Sequence, residues 1–201
     1  MKSYPSIPTD YLPDIEFHLF DKLDGSNIRA EWNRKQGFTR FGTRRRLLTA
    51  GDPLAPARDC ILGKYADDLG RIFQERKYQK VTCFFEYAGP SSFAGDHFAP
   101  PCEMDAILFD VNPLRRGFLA PEEFLARFDG LHLPRYLGCR RLDPGFVVTV
   151  RAGRCAGVTF EGIVGKAVHK NRLVMTKVKS RAWLERLRLE TSGEAEFLRR
   201  A

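Results

Sequence analysis

Asp21-Lys22-Leu23-Asp24-Gly25-Ser26-Asn27 is a short polar stretch between two runs of strand character. Upstream, Ile15, Phe17 and Leu19 alternate with polar neighbours; downstream, Ile28, Ala30 and Trp32 do the same. Period-two alternation on both sides predicts strand, loop, strand, with Lys22 at an element edge. Two residues on, Asp24 projects to the same face of an extended chain, and Gly25 lets a ligand approach the backbone closely. A lysine amine has an ordinary pKa of about 10.4, so it acts as a nucleophile only where nearby cations or desolvation lower that value. The same spacing also fits a solvated lysine beside a turn.

Outward from this stretch, Arg34-Lys35-Gln36-Gly37 reads as a hairpin turn and Phe38 to Arg44 as the returning strand. From Lys22 to Arg46 there are eight basic residues against two acidic, 8 − 2 = +6, so most of the chain's net +8 lies here. That balance, with a pI near 9.4, favours a polyanionic partner. Arg44-Arg45-Arg46 is either a solvated strand end or a contact for a triphosphate or nucleic-acid backbone. With 201 residues, 43% hydrophobic and 12% aromatic, the chain can bury a sizeable core in one large domain or two small ones.

Five cysteines, Cys60, Cys83, Cys102, Cys139 and Cys155, form no Cys-x-x-Cys pair, which indicates neither a disulfide framework nor a zinc site. The N-terminus lacks the charged and apolar regions of a secretion signal. No apolar run reaches the roughly 18 residues of a membrane span. A soluble, cytoplasmic protein without a membrane partner is expected.

Residues 1–14 read as a proline-punctuated lead-in without visible chemistry. Pro56 to Lys77 carries apolar residues at three- and four-residue spacing and predicts an amphipathic helix. Val81 to Tyr87 is a β-prone run ending in Glu86, and a carboxylate there is costly without a partner or ligand. Residues 90–101 read as a loop, Ala106 to Val111 as a second buried strand, and Pro121 to Phe128 as a helix with Gly130 at its end. Residues 131–144 read as irregular, and Phe146 to Val150 suits strand or helix. Val158 to Lys166 reads as a strand pair or bulged strand bearing Glu161. Leu173 to Lys179 is the last strand, with Lys177 and Lys179 on one face, and Ala182 to Leu189 the closing helix. Residues 15–190 are thus expected to form the domain and 191–201 a tail.

In this order, Lys22-x-Asp24-Gly25, a basic strand end, Glu86 closing a Phe-rich strand, Phe109-Asp110, Glu161-Gly162-x-Val164 and Lys177-x-Lys179 before a tryptophan-bearing helix resemble the covalent nucleotidyltransferases. That superfamily comprises the ATP-dependent ligases and mRNA capping enzymes. The resemblance covers about residues 15–185. It is nearest the ATP-dependent RNA ligases, through Asp21 to Arg29 and Phe84-Phe85-Glu86-Tyr87-Ala88-Gly89.

The resemblance implies an α+β nucleotidyltransferase fold of antiparallel sheets flanked by helices, with ATP and Mg²⁺ or Mn²⁺ as cofactors. It implies that Lys22 attacks the α-phosphate to form lysyl-AMP. Asp21 then reads the adenine amino group, Asn27 and Arg29 contact ribose and phosphate, and Arg44 is the arginine after the first hairpin, with Arg45 one position away. Glu86 holds the ribose hydroxyl, Phe109 stacks on the base, and Lys177 and Lys179 grip the α-phosphate. Glu161, Glu86 and Asp24 are the implied metal partners through water, consistent with the preference of Mg²⁺ for oxygen and retained water. Cations near Lys22 are expected to lower its pKa.

The implied activity joins RNA 5′-phosphate and 3′-hydroxyl ends. Ligases and capping enzymes carry a further oligonucleotide-binding or helical domain after the last lysine motif, whereas about twenty residues follow Lys179 here. A partner protein or the arginine-rich surface is therefore expected to position the RNA. A DNA ligase, a GTP-using capping domain and a non-catalytic RNA-binding module with the same fold are the alternatives. Asp21 and Ser26-Asn27 favour ATP and RNA.

Overall fold

The computed structural model describes residues 1–98 and 103–200. The last part of the expected 90–101 loop, Cys102 and the final residue lie outside the described residues. Among the described residues, two four-stranded antiparallel sheets and five α-helices make an α+β fold. One sheet has the order β6-β1-β7-β8, from Tyr136–Arg141, Glu16–Asp21, Gly162–His169 and Arg172–Lys179. The other runs β3-β2-β4-β5, from Gly37–Thr43, Ser26–Asn33, Lys80–Ala88 and Asp105–Pro113. The chain crosses from the first sheet to the second through Lys22 to Gly25, the polar stretch between the two alternating runs.

Each sheet has its own core. In α1 (Pro56–Glu75), Ala57, Ile61, Tyr65, Leu69 and Phe73 recur every fourth residue, a single stripe of the helix surface. That stripe packs on Trp32, Phe85 and Leu108 of the second sheet, with Phe124 and Phe128 from the end of α2 (Pro121–Arg127). The first sheet buries Phe17, Leu19, Ile163 and Val178 against Val147 and Val150 of α3 (Pro144–Arg151). A third, smaller cluster joins Trp183 and Leu187 of α4 (Arg181–Glu190) to Ala94 and to Phe197 of α5 (Glu194–Arg200).

The strand–turn–strand over residues 16–43 forms as its pattern dictates. Asn33 Oδ1 accepts from the backbone N–H groups of Lys35 and Gln36, closing the hairpin turn. Several expectations are corrected. The segment expected to be irregular contains β6, which pairs with β1 from Glu16↔Arg141 to Phe20↔Tyr136. As an edge strand it buries little, so the hydrophobic alternation that marks a strand is missing. Residues 146–150 are helical: Asp143 caps α3 by accepting from Phe146 N–H at 2.9 Å, and Pro144 occupies the first turn. Within Val158 to Lys166 the strand starts only at Gly162, so Glu161 stands just ahead of β7. The segment read as a tail carries α5.

The lead-in carries more than expected. Tyr4 is 7% exposed, and its ring meets Phe84, Phe109 and Phe118 edge-on or tilted. Backbone bonds from Lys177 N–H to Pro8 O and from Asp10 N–H to Lys177 O lay this segment along β8. Among the described residues, Cys60, Cys83, Cys139 and Cys155 are free thiols. No helix among them is long and apolar enough to cross a membrane.

Candidate active site

Between the sheets lie two adjoining cavities, and Lys22 lines both. The first, of about 250 Å³, has Phe20, Phe109 and Val164 as apolar walls, with Asn27, Glu86, Arg44 and Lys177 toward its polar side. The second, of about 840 Å³, is lined by Asp24, Glu161, Lys179 and Trp183, with Ser91, Ser92 and Phe93 from the following loop. Lys22, Glu86, Arg44 and Lys177 belong to both.

Glu161 is the centre of the charge arrangement. It is 3% exposed, and one carboxylate bridges two ammonium groups, Lys22 Nζ at 2.8 Å and Lys179 Nζ at 3.0 Å. A buried charge is tolerated when it is paired in this way. Its backbone is fixed as well, since Glu161 O accepts from Ser180 N–H at 2.8 Å. Lys22 is held by its own N–H, which donates to Gly162 O at 2.9 Å. Gly162 has φ 138°, and a Cβ there would run into Val178 O, so this junction requires glycine. Gly25 is equally constrained: a Cβ would lie 2.5 Å from Tyr87 O, while its N–H donates to Glu86 at 3.1 Å.

The electrostatics differ from the expectation at Lys22. Burial pulls its ammonium pKa down, but Glu161, Glu86 and Asp24 push it up, and the net shift is upward. The acidic groups around this one amine, Glu161 first among them, outweigh desolvation. Glu86 is pushed up to about 8 by burial, reinforced by Glu161 and Asp24 and opposed by Lys22. Asp24 is raised by burial and by Glu161. Lys179 is lowered to about 8, mainly by burial, and Lys177 is lowered by burial and by Lys22. The site therefore holds acids and bases whose ordinary pKa values are drawn toward neutrality, a pattern common in active sites.

Most of the sequence-derived candidates converge here. Lys22, Asp24, Asn27, Arg44, Glu86, Phe109, Glu161, Lys177 and Lys179 all line one or both cavities. Asp21 lines the first as well, but both of its oxygens are engaged by Thr159, Oδ1 by the N–H at 2.9 Å and Oδ2 by the hydroxyl at 2.5 Å. Burial raises its pKa against these bonds. Arg29 is the exception to the convergence. It is absent from both linings, and its guanidinium donates to Met1 O and Ser3 Oγ, anchoring the lead-in.

Other residues of the site were not foreseen. Tyr4, Pro5, Ser6 and Ile7 form part of the first cavity's wall. Lys166, 6% exposed, also lines it and donates to Phe109 O at 2.7 Å and Asp110 at 2.9 Å; Tyr4 hydroxyl donates to the same Asp110 oxygen at 2.8 Å. This network fixes the backbone that carries Phe109. Two-residue alternation from Val164 along β7 puts Lys166 on the cavity side, so that signal was available in the sequence. A single tyrosine in a proline-rich lead-in offered none.

No protein-family model matches the chain. No curated protein sequence matches it. Solved structures do. A Naegleria gruberi RNA ligase bound to pyrophosphate superposes with a TM-score of 0.69 at 16% identity, covering 92% of this chain and 57% of that one. An arginine-to-alanine variant of that ligase, with ATP and Mn, gives 0.67 at 17% identity over the same shares. An Aquifex aeolicus protein that carries the provisional name of ATP-dependent DNA ligase gives 0.71 at 19% identity, over all of this chain and 57% of that one. The fold is thus that of the nucleotidyltransferase domain of ATP-dependent ligases. The chain spans little more than half the length of these proteins.

Proposed function

We propose that the protein is an ATP-dependent RNA ligase working through a covalent lysyl-AMP on Lys22. The observation that carries this reading is the position of Lys22 at the junction of two cavities, its amine paired to the carboxylate that also holds Lys179. An apolar cavity walled by Phe109 and Val164 suits a purine, and Asn27 Oδ1, buried without a hydrogen-bond partner, suits a ribose hydroxyl.

In the first step the Lys22 amine attacks the α-phosphorus of ATP. The Lys22 ammonium first cedes a proton to its nearest acceptor, Glu161 Oε2; the P–N bond then forms, the P–O bond to pyrophosphate breaks, and the second proton lost from nitrogen leaves with the pyrophosphate. Lys177, Lys179 and Arg44 neutralise the charge that develops. A 5′-phosphate then displaces Lys22 from the AMP, and a 3′-hydroxyl finally attacks that phosphate and releases AMP. Among the described residues no three His, Cys, Asp or Glu side chains converge as a direct ligand set. Mg²⁺ or Mn²⁺ fits as a hydrated ion held by phosphate, with Glu161, Glu86 and the unpartnered Asp24 Oδ2 as outer partners, and would supply further charge neutralisation. A partner protein or the arginine-rich surface would position the RNA.

Incubation with α-labelled ATP and Mg²⁺ tests the reading. The wild type is expected to take up label covalently and Lys22→Ala to take up none; an unlabelled wild type or a labelled variant overturns it. The likeness to the Aquifex protein favours DNA ends as a second reading. Sealing of nicked RNA against nicked DNA separates the two.

A further inference from the structure

From the geometry around α4 we propose that Trp183 is a positioning residue of the nucleotidyl-transfer site, holding Lys179 against its ring face. This rests on the ligase reading above. Lys179 Nζ sits 3.7 Å from the centre of the Trp183 ring, with Glu161 Oε1 3.0 Å away as its second anchor. Lysine and tryptophan are each 4% exposed, a setting in which an ammonium over an indole face is held most firmly. Trp183 lines the second cavity together with Lys22, Glu161 and Lys179. The ring therefore backs the lysine that shares the Glu161 carboxylate with Lys22.

The ring is itself rigidly carried. Ser180 caps α4 by accepting from Trp183 N–H at 3.1 Å, while its hydroxyl donates to Phe160 O at 2.7 Å and its N–H to Glu161 O at 2.8 Å. The helix start is thus bonded to the backbone on which Glu161 stands. A different use of the ring, stacking on an incoming base, conflicts with its surroundings: Lys179 covers one face and Phe93 meets the ring at 5.7 Å with planes 64° apart. The indole is spent on protein groups.

Two measurements test this. In single-turnover labelling of Lys22 at saturating ATP, Trp183→Leu is expected to slow the reaction roughly tenfold with little change in the ATP concentration required, and Trp183→Phe, which keeps a ring face, to restore most of the rate. Equal rates for Leu and wild type, or equal loss in Leu and Phe, overturn the proposal. Tryptophan emission of the nucleotide-free protein gives the second readout. Lys179→Met should shift the emission, and the shift should vanish in a Trp183→Phe background, because the other tryptophan, Trp32, lies 2% exposed in a separate core. No shift overturns the proposal. The emission result decides even if Trp183→Leu fails to fold. It also stands if the wild type takes up no label, an outcome that defeats the ligase reading instead.

Discussion

A single carboxylate serving two lysines has consequences at the scale of the residue. Glu161 stabilises Lys22 as an ammonium, the form that cannot attack phosphorus, so the nucleotide-free site stores the nucleophile in its inactive charge state. The surrounding acids share the cost. Glu86 keeps its proton up to about pH 8, because its burial beside Glu161 and Asp24 outweighs the attraction of Lys22. In the unfolded chain the same carboxyl ionises near its ordinary value of about 4.3. A raised carboxyl favours the folded state at low pH, and that contribution is lost as pH climbs from the unfolded value through the folded one. Glu86→Gln cannot ionise and keeps an oxygen that can accept from Gly25 N–H. Its melting temperature is therefore expected to rise relative to wild type between pH 5 and pH 8, with the gap closing again in acid. A gap that does not change across this range in thermal denaturation would show that Glu86 is ionised in the folded protein.

Elements differ in how far their residues announced them. Strands β1, β2, β4 and β5 and helix α1 were legible because each buries one face or both, and burial writes periodicity into sequence. Strand β6 was not, because Tyr136 to Arg141 form a sheet edge with mostly exposed side chains, where no packing demand shapes the pattern. Helix α3 was ambiguous by periodicity and is decided by Asp143-Pro144, a cap and first-turn proline that a valine-rich run conceals. Within the site, the charged residues were legible through their types and order. Tyr4 and the wall it builds were not, since the lead-in gains its structure from docking on distant residues, among them Arg29, Phe109 and Lys177. That dependence predicts the behaviour of the lead-in. Tyr4→Ala removes a buried ring and is expected to cost about 3–5 kcal/mol in denaturant unfolding and to weaken ATP binding. Tyr4→Phe keeps the ring and loses the hydroxyl's bonds to Asp110, which retains Lys166, and to the Met175 sulfur, so about 1 kcal/mol is expected. Equal losses for the two variants would mean that the hydroxyl, not the packed ring, fastens the lead-in.

For the whole molecule, two sheets with separate cores meet across the cavities, and the net +8 is concentrated along the strand and turn that follow Lys22. Arg44 opens onto both cavities, and Arg45 beside it is exposed. Arg46 differs from them: its guanidinium pairs with Asp52, whose side chain is buried, so it is already engaged within the fold. A strand bound along this run would release counterions in proportion to the phosphates it presents, and the logarithm of the affinity would fall with the logarithm of salt by about 0.7 per phosphate for a single strand. Arg44→Ala with Arg45→Ala is then expected to flatten that slope by roughly 1.4 for a single-stranded 5′-phosphorylated RNA, and Arg46→Ala to change it far less. Fluorescence anisotropy across a salt series measures both. Should Arg46→Ala flatten the slope as much as the double variant, the nucleic acid must meet this surface as a diffuse charge. Should neither variant change it, the path of the RNA lies elsewhere, and the arginines beside Lys22 serve the nucleotide alone.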